Sequence, residues 1–457
     1  MVQRLEADYL VVGAGATGMA FTDALTEHSD ASVVIIDRRH GPGGHWLDAY
    51  PFVRLHQASA FYGVASTLLG GGRLQSDGPE AGLAERASAP EVCAYYDRVL
   101  RERLQSSGQV SFMPACDYRG EGRFVSLLSG REYVVRGRVV NAHHLSPTIP
   151  ARTEPPFRVG DGVRVVAVNE LASLGEAASQ YVIVGAGKTA TDACVWLLGN
   201  GVDPDAIRWV RSRDPWMLNR AKVQPDPVIF WGLGADVFEA ASLASSPTDL
   251  FLRMEAAGVM LRIDPSVMPT MAKTPTLAQW ELDELRTIED VIRLGHVRGV
   301  ESGRLSLEDG DAAIARDAVV VHCAASGLQY SPLVPIWGSA EITLQPIRTG
   351  FPCFGAALAG YAEATIDSDE EKNRLCPPSP YSNTMEDWPR MNVLGTLASL
   401  AFTSAPDLRT WSNEVPLNPA AVSAARQVSP ELSATQERFR QFMEPGLARM
   451  RQLAGMD

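Results

Sequence analysis

The chain has 457 residues, 46% of them hydrophobic and 21% charged, and this ordinary composition suits a globular protein of two or three domains rather than a single core. The formal net charge is -13 and the basic residues form no long run, which argues against nucleic acid or an anionic membrane as a partner. No apolar run approaches the roughly twenty residues of a membrane span, the first strand begins too early for a secretion signal, and the six cysteines and eight histidines form no metal-ligand pattern, so we expect a cytoplasmic protein without a metal.

The first predicted element is a buried strand, Tyr9 to Val12, that runs directly into a glycine-rich turn. Gly13, Gly15 and Gly18 have the G-x-G-x-x-G spacing of a dinucleotide-binding turn. The first glycine permits the sharp turn, the second lets a diphosphate approach the backbone, and the third lets the following helix pack closely. The alternative is a glycine-rich turn in an ordinary α/β domain.

A second apolar strand, Ser32 to Ile36, ends in Asp37, about twenty residues beyond the glycines. A carboxylate at this point can accept hydrogen bonds from both ribose hydroxyls of a dinucleotide. We assign Asp37 and Arg38 to a cofactor site, together with Ala16 and Thr17, which open the helix after the turn and offer N–H groups to the diphosphate. Strand, turn, helix, strand and acid occur in the order that such a site requires.

A glycine-rich segment follows, and we predict a loop in close contact with a ligand. Gly44, His45 and Trp46 in this loop are further candidate cofactor-binding residues. Residues 54–62 then interleave aromatic and hydrogen-bonding side chains without a helical or strand period, as an irregular wall around a planar ring would. The candidate catalytic residues of this wall are Arg54, His56, Gln57 and Ser59, and the alternative is a surface loop with satisfied polar side chains.

A second unit of the same design is predicted beyond a proline-rich crossing at residues 147–156. The strand from Gln180 to Val184 leads into Gly185 and Gly187, and an alanine occupies the place of the third glycine. Lys188 and Thr189 open the helix that follows. We therefore assign these four turn and helix residues to a second cofactor site.

The next strand of this unit, Ile207 to Val210, ends in an arginine instead of an acid. A carboxylate here favours a free 2′-hydroxyl, whereas an arginine offers a charged fork to a 2′-phosphate. Arg211 and Arg213 therefore indicate NADP, with Lys188 as a further phosphate contact. The alternative is that both arginines are solvated surface charges.

The segment from Pro225 to Leu294 is irregular and helical, and short strands follow it. We predict an α/β fold of two Rossmann-like dinucleotide-binding domains, the second inserted in the first, with a helical insertion and C-terminal helices. The first part of the first domain is assigned to residues 1–150, and the second domain with its helical insertion to residues 151–315. The second part of the first domain and the terminal helices take residues 316–457.

With two such units and the Gly43-Gly44-His45-Trp46 loop, the chain resembles the two-dinucleotide-binding-domain flavoproteins, in particular the class B flavin monooxygenase superfamily, over most of residues 1–355. The resemblance implies FAD in the first unit, NADPH in the second, and a C4a-peroxyflavin that delivers one oxygen atom to a small-molecule substrate. The family fingerprint F-x-G-x-x-x-H is absent, because the segment from Phe157 to Val163 has neither its glycine nor its histidine in place.

The leading hypothesis is an NADPH-dependent FAD monooxygenase of a small organic or biosynthetic intermediate. One alternative is a flavin oxidase or dehydrogenase that performs no monooxygenation. Another is a protein that keeps FAD as a non-redox scaffold for a cyclisation, an isomerisation or a binding role. No motif indicates the substrate or the oligomeric state.

Overall fold

The structure is a computed structural model that describes residues 2–325, 327, 330–422, 427 and 429–456. Its strands, in chain order, are β1 (Gln3–Leu5), β2 (Tyr9–Val12), β3 (Val33–Ile36), β4 (Val110–Met113), β5 (Cys116–Gly120), β6 (Arg123–Ser126), β7 (Glu132–Val135), β8 (Arg138–Asn141), β9 (Arg158–Val159), β10 (Arg164–Ala167), β11 (Tyr181–Val184), β12 (Ile207–Val210), β13 (Trp216–Asn219), β14 (Met260–Arg262), β15 (Thr276–Leu277), β16 (Val291–Ile292), β17 (Val297–Glu301), β18 (Arg304–Leu307), β19 (Gly310–Ala313), β20 (Val319–His322) and β21 (Glu341–Thr343). Its α-helices are α1 (Ala16–Glu27), α2 (Ala89–Arg98), α3 (Lys188–Gly199), α4 (Pro227–Leu243), α5 (Pro247–Ala256), α6 (Gln279–Leu285), α7 (Pro352–Thr365), α8 (Asp369–Leu375), α9 (Asp387–Ser404), α10 (Pro406–Glu414) and α11 (Pro430–Leu453).

The first unit is built on a parallel sheet with the strand order β21-β8-β2-β3-β4. Its central strands are apolar and buried, as expected for a parallel sheet covered on both faces. Helices α1 and α7 cover one face at backbone contact, since a Cβ on Gly360 would overlap the carbonyl oxygen of Phe21. A small sheet of the order β1-β7-β6-β5 covers the other face.

The second unit repeats this layering on a parallel sheet with the order β10-β20-β11-β12-β16. Helices α3 and α6 pack on one face, and the sheet β19-β18-β17-β9 packs on the other. Because β21 of the first sheet follows all the strands of this unit in the chain, the second unit is inserted in the first. The predicted two-domain α/β architecture is therefore confirmed.

One predicted domain boundary needs correction. The division between residues 315 and 316 would assign β20 to the first unit, yet β20 pairs with β10 and β11 at the centre of the second sheet. The chain returns to the first sheet only at β21. We therefore propose a boundary beyond His322. Local sequence does not reveal which of two similar sheets an apolar strand joins.

The helical insertion and the C-terminal helices form one layer. Helices α4 and α5 share an apolar cluster with α9 and α11, built around Trp216, Phe251 and Trp388. Helix α11 lies along α4 so closely that a Cβ on Gly446 would overlap the carbonyl oxygen of Phe238. None of the described helices is both long and apolar enough to cross a membrane.

Candidate functional site

The described residues surround a cavity of about 1670 Å³, larger than the roughly 300–1,000 Å³ of a usual single-ligand pocket. It lies at the carboxyl ends of the strands of both parallel sheets, where ligands bind in open α/β folds. The predicted site residues that line it are Gly13, Gly15, Ala16, Thr17, Asp37, Arg38, Gly44, His45, Trp46, Arg54, His56, Gln57, Gly185, Gly187, Lys188, Thr189 and Arg213. Gly18, Ser59 and Arg211 do not line it.

The first glycine turn has the close packing that its spacing predicts. Gly13 adopts φ +112°, which a side chain would strain, and Gly15 is the N-cap of α1. A Cβ on Gly18 would overlap the carbonyl oxygen of Gly13, so this glycine packs the helix on the strand instead of facing the cavity. A Cβ on Gly44 would lie 3.0 Å from the Cα of Gly15, so the following loop closes over the turn.

The acid at the end of β3 is anchored by backbone groups. Oδ2 of Asp37 accepts a hydrogen bond from the N–H of Ala14 at 2.8 Å, and Oδ1 accepts one from the N–H of Arg39 at 2.8 Å. Each oxygen keeps a second lone pair for a ligand. The Arg38 side chain is exposed and lies 3.3 Å from Asp117.

The loop after Asp37 contains a single 3-10 turn, Gly44–Asp48, where the sequence predicted an irregular loop. The indole N–H of Trp46 donates a hydrogen bond of 2.6 Å to the hydroxyl of Tyr62. Burial, with a smaller contribution from the charge of Arg39, lowers the pKa of His45 to about 4. His45 therefore presents a neutral ring to the cavity.

The second glycine turn has the same form. Gly185 adopts φ +132° against the backbone of Cys323, and Gly187 caps α3 at a point where a Cβ would meet nothing within 4 Å. Lys188, predicted to contact phosphate, pairs with Asp192 one turn later in α3 and lies 3.9 Å from Glu281. Its ammonium group is thus already neutralised by protein carboxylates.

Arg211 occupies a different position from the one expected of a phosphate ligand. It follows Trp209 on the same side of the strand, and its guanidinium group lies 4.8 Å from the indole centroid. It is buried and lies 3.2 Å from Asp214. Arg213 does face the cavity, and its guanidinium group donates to the carbonyl oxygen of Thr270 at 2.7 Å. Strand alternation, which turns Arg211 inward, accounts for the difference.

The candidate catalytic residues separate into two groups. Arg54, His56 and Gln57 line the cavity, and Nε2 of Gln57 donates to the carbonyl oxygen of Gly350 at 3.0 Å. Burial lowers the pKa of His56 to about 3, and the charges of Lys188, Arg220 and Arg86 add to that effect. Ser59 is corrected to a structural residue, because it is 1% exposed and its Oγ accepts the N–H of Ala87 at 2.8 Å.

A buried ion network that the sequence did not predict lies beside His56. Arg220 pairs with Glu80 and, at 2.7 Å, with Glu281, while Arg86 binds the same Glu80 at 2.6 Å. Burial raises the pKa of Glu80, but Arg86 and Arg220 outweigh it and lower that pKa to about 2. The network joins the two units. No local motif indicates it, because its members come from distant segments of the chain.

Two further cavity residues were also missed. Lys273 lines the cavity near Arg213, and burial together with the charge of Arg213 lowers its pKa. Arg348, between β21 and α7, lines the cavity beside Phe230 of α4. Lys273 precedes β15 and Arg348 follows β21, and neither belongs to a recognisable motif, so only the charge itself was available as a signal.

Comparison with known proteins identifies relatives over most of the chain. The uncharacterized protein Rv2000 of Mycobacterium tuberculosis is 43% identical over 421 residues, which cover 91% of this chain and 78% of that protein. The uncharacterized protein Mb2023 of Mycobacterium bovis gives the same values. The chain belongs to the same family as these mycobacterial proteins.

A family model described as an NAD(P)-binding Rossmann-like domain matches residues 11–62, which contain the first glycine turn and Asp37. Among solved structures, the polycyclic ketone monooxygenase of Thermothelomyces thermophila is 13% identical with a TM-score of 0.53, over 98% of this chain and 90% of that one. A cyclohexanone monooxygenase mutant from Rhodococcus sp. Phi1, bound to NADP+, is 15% identical with a TM-score of 0.51, over 88% and 98%. The resemblance inferred from the motifs is thereby confirmed at the level of the fold.

Proposed function

We propose that this member of the family is a flavin-dependent oxidoreductase that binds FAD in its first unit and NADPH in its second. We further propose that it is a monooxygenase of a small organic or biosynthetic intermediate. The observation that carries the proposal is that one continuous cavity is lined by both glycine turns, by Asp37 after the second strand of the first unit and by Arg213 after the second strand of the second. Two dinucleotides bound to these turns would share that cavity.

The residues of the first unit fit FAD. The N-terminus of α1 opens into the cavity at Gly15, where backbone N–H groups would bind the diphosphate. Asp37, anchored by backbone N–H groups, would accept the ribose hydroxyls with its remaining lone pairs. The buried Trp46 and the neutral His45 would contact the remainder of the cofactor.

The residues of the second unit fit NADPH after one reassignment. Gly187, at the N-terminus of α3, leaves room for a diphosphate. Arg213 and Lys273 would bind the 2′-phosphate, since they are neighbouring cations that both line the cavity. Arg211 would stabilise the backbone of this pocket by packing on Trp209 and pairing with Asp214.

FAD, when bound, supplies the hydride-accepting and oxygen-activating chemistry. The chain itself would bind and orient the reactants and exclude water. His56 would offer a neutral imidazole, because its pKa is about 3, and Gln57 is held in position by the carbonyl oxygen of Gly350. Phe230 of α4 and Met391 of α9 give the cavity apolar walls that keep out water.

The test is to mix the purified protein with NADPH in air. We expect a yellow protein whose absorbance near 450 nm, about the usual flavin maximum, bleaches with NADPH and recovers with oxygen. Oxygen uptake matched by an oxygenated product would support monooxygenation. A colourless protein that takes up no FAD would contradict the proposal altogether.

A flavin oxidase or dehydrogenase is the second candidate, and one observation favours it. The segment from Phe157 to Val163 contains no histidine, where the monooxygenase fingerprint has one. Bleaching by a substrate without NADPH, with hydrogen peroxide as the product of reoxidation, would support this candidate. FAD binding without reduction by any donor would support the non-redox scaffold.

A further inference from the structure

We infer that the substrate carries one anionic group, a carboxylate, on an apolar body, and that Arg348 is the residue that binds this carboxylate. The inference rests on the proposed function, because it concerns the substrate of the same cavity.

The position of Arg348 separates it from the nucleotide-binding groups. It follows β21, at one end of the order β21-β8-β2-β3-β4, whereas Asp37 follows β3 on the other side of β2. Arg213 and Lys273 belong to the second unit. Arg348 is thus a cation of the cavity wall separate from these nucleotide-binding groups, at the place where the first sheet meets α4.

No carboxylate of the described residues pairs with Arg348. Of the four aspartates that line the cavity, Asp48 pairs with Arg39 at 2.7 Å, Asp117 with Arg38 at 3.3 Å and Asp192 with Lys188. The fourth, Asp37, is held by backbone N–H groups. Burial lowers the pKa of Arg348 to about 10, and no neighbouring charge opposes this effect. Arg348 is half-buried in the cavity wall, where a cation without a counter-ion is costly, and a bound anion would relieve that cost.

The surroundings of Arg348 select the kind of anion. Its guanidinium group lies 5.6 Å from the ring centroid of Phe230, and the cavity wall continues through Val237 of α4 to Trp388 and Met391 of α9. One guanidinium fork matches one carboxylate in a bidentate pair. A single charge among apolar walls therefore suits a monocarboxylate with an apolar body better than a phosphate ester or a polyanion.

The experiment is calorimetric titration of the FAD-loaded protein with octanoate and 3-phenylpropionate, each compared with its methyl ester. The variants are Arg348→Gln and Arg348→Lys, and Arg136→Gln serves as the control because Arg136 is exposed and outside the cavity. We expect at least one acid to bind more tightly than its ester. Arg348→Gln should weaken that acid by about 10-fold or more, as for a lost hydrogen bond to a charged group, and leave the ester unchanged. Arg348→Lys should retain part of the affinity for the acid.

Parallel titration of each variant with FAD separates the two possible sources of an anion. If Arg348→Gln loses FAD and binds the acid like the parent protein, the guanidinium group serves the cofactor and the inference is wrong. Equal binding of acid and ester, or no binding of either acid, also overturns it. Bleaching by NADPH tests the proposed function on its own, so either idea can fail while the other stands.

Discussion

The hydroxyl of Tyr50 donates a hydrogen bond of 2.6 Å to Oδ2 of Asp192, and this contact joins the loop after the first glycine turn to the helix of the second. Asp192 also pairs with Lys188 through Oδ1. Burial, followed by the charge of Asp192, raises the pKa of Tyr50 well above its usual range. A neutral phenol and an ion pair therefore connect the two nucleotide units at the cavity wall.

Asp192→Asn should destabilise the protein by roughly 2–4 kcal/mol, because Lys188 would lose its main counter-ion. This is somewhat less than the cost of breaking a fully buried pair. The two side chains are only 17% and 12% exposed, so water replaces the lost partner poorly. Urea unfolding measures the change.

The matched control is Asp97→Asn, which breaks the exposed pair of Asp97 with Arg101 at the same i,i+4 spacing. We expect that change to cost only about 0.3–0.5 kcal/mol. Equal effects of the two substitutions would contradict the role assigned to Asp192.

Local patterns predicted the elements of this fold because the motif of each nucleotide unit lies within one short segment of the sequence. An apolar strand, a glycine turn, a helix and a second strand are contiguous in both units, so Gly13, Asp37 and Gly185 were identified without tertiary information. The packing reason for Gly18 is local as well, because the carbonyl oxygen that a Cβ there would overlap belongs to Gly13, five residues earlier.

The site's ion pairs depend on distant partners, and that is why they were missed. Glu80 and Arg220 are 140 residues apart, and Ser59 is withdrawn from the cavity by the N–H of Ala87, 28 residues later. Arg211 illustrates a third cause, since its charge predicted a ligand while its place on the strand turned it onto Trp209.

Gly18→Ala should prevent formation of the first unit. The new Cβ would overlap the carbonyl oxygen of Gly13, and neither backbone can move without opening the turn. We expect little folded protein and no FAD uptake, measured by circular dichroism and flavin absorbance. Gly199→Ala is the matched control, because its Cβ meets nothing within 4 Å at the end of α3. It should be neutral or stabilising by up to about 1 kcal/mol. Normal FAD uptake by Gly18→Ala would overturn the packing argument.

Arg213→Ala should weaken NADPH binding by roughly 1.5–3 kcal/mol and leave NADH binding nearly unchanged, because only NADPH carries the 2′-phosphate. Arg211→Ala should instead reduce stability, since it removes a buried group packed on Trp209 and leaves Asp214 with one partner fewer. Calorimetric titration with both nucleotides, together with thermal unfolding, distinguishes the two variants. If only Arg211→Ala loses NADPH binding while it keeps NADH binding, Arg211 and not Arg213 contacts the 2′-phosphate.

The buried histidines should make stability depend on pH in a defined direction. The pKa of His56 is about 3 in the folded protein and that of His45 about 4, against an ordinary value of 6.5. Below pH 6.5 the two histidines bind protons in the unfolded chain but stay neutral in the folded protein. The stability that the neutral histidines contribute is therefore fully present above pH 6.5 and is lost as the pH falls towards the folded pKa values. Each histidine should contribute a slope approaching about 1.4 kcal/mol per pH unit near pH 5.

His56→Gln should therefore reduce the slope of unfolding free energy against pH by about 1.4 kcal/mol per pH unit between roughly pH 5.5 and 4.5. The slope is the informative quantity, because the substitution also removes the ring nitrogen that accepts the N–H of Thr276 and so shifts stability at every pH. Urea unfolding at several pH values gives the slope directly. His40→Gln is the control, since His40 is exposed, and it should leave the slope as it is. If His56→Gln and the parent protein have parallel profiles, folded His56 takes up a proton in this pH range as the unfolded chain does, and its pKa is not lowered by burial.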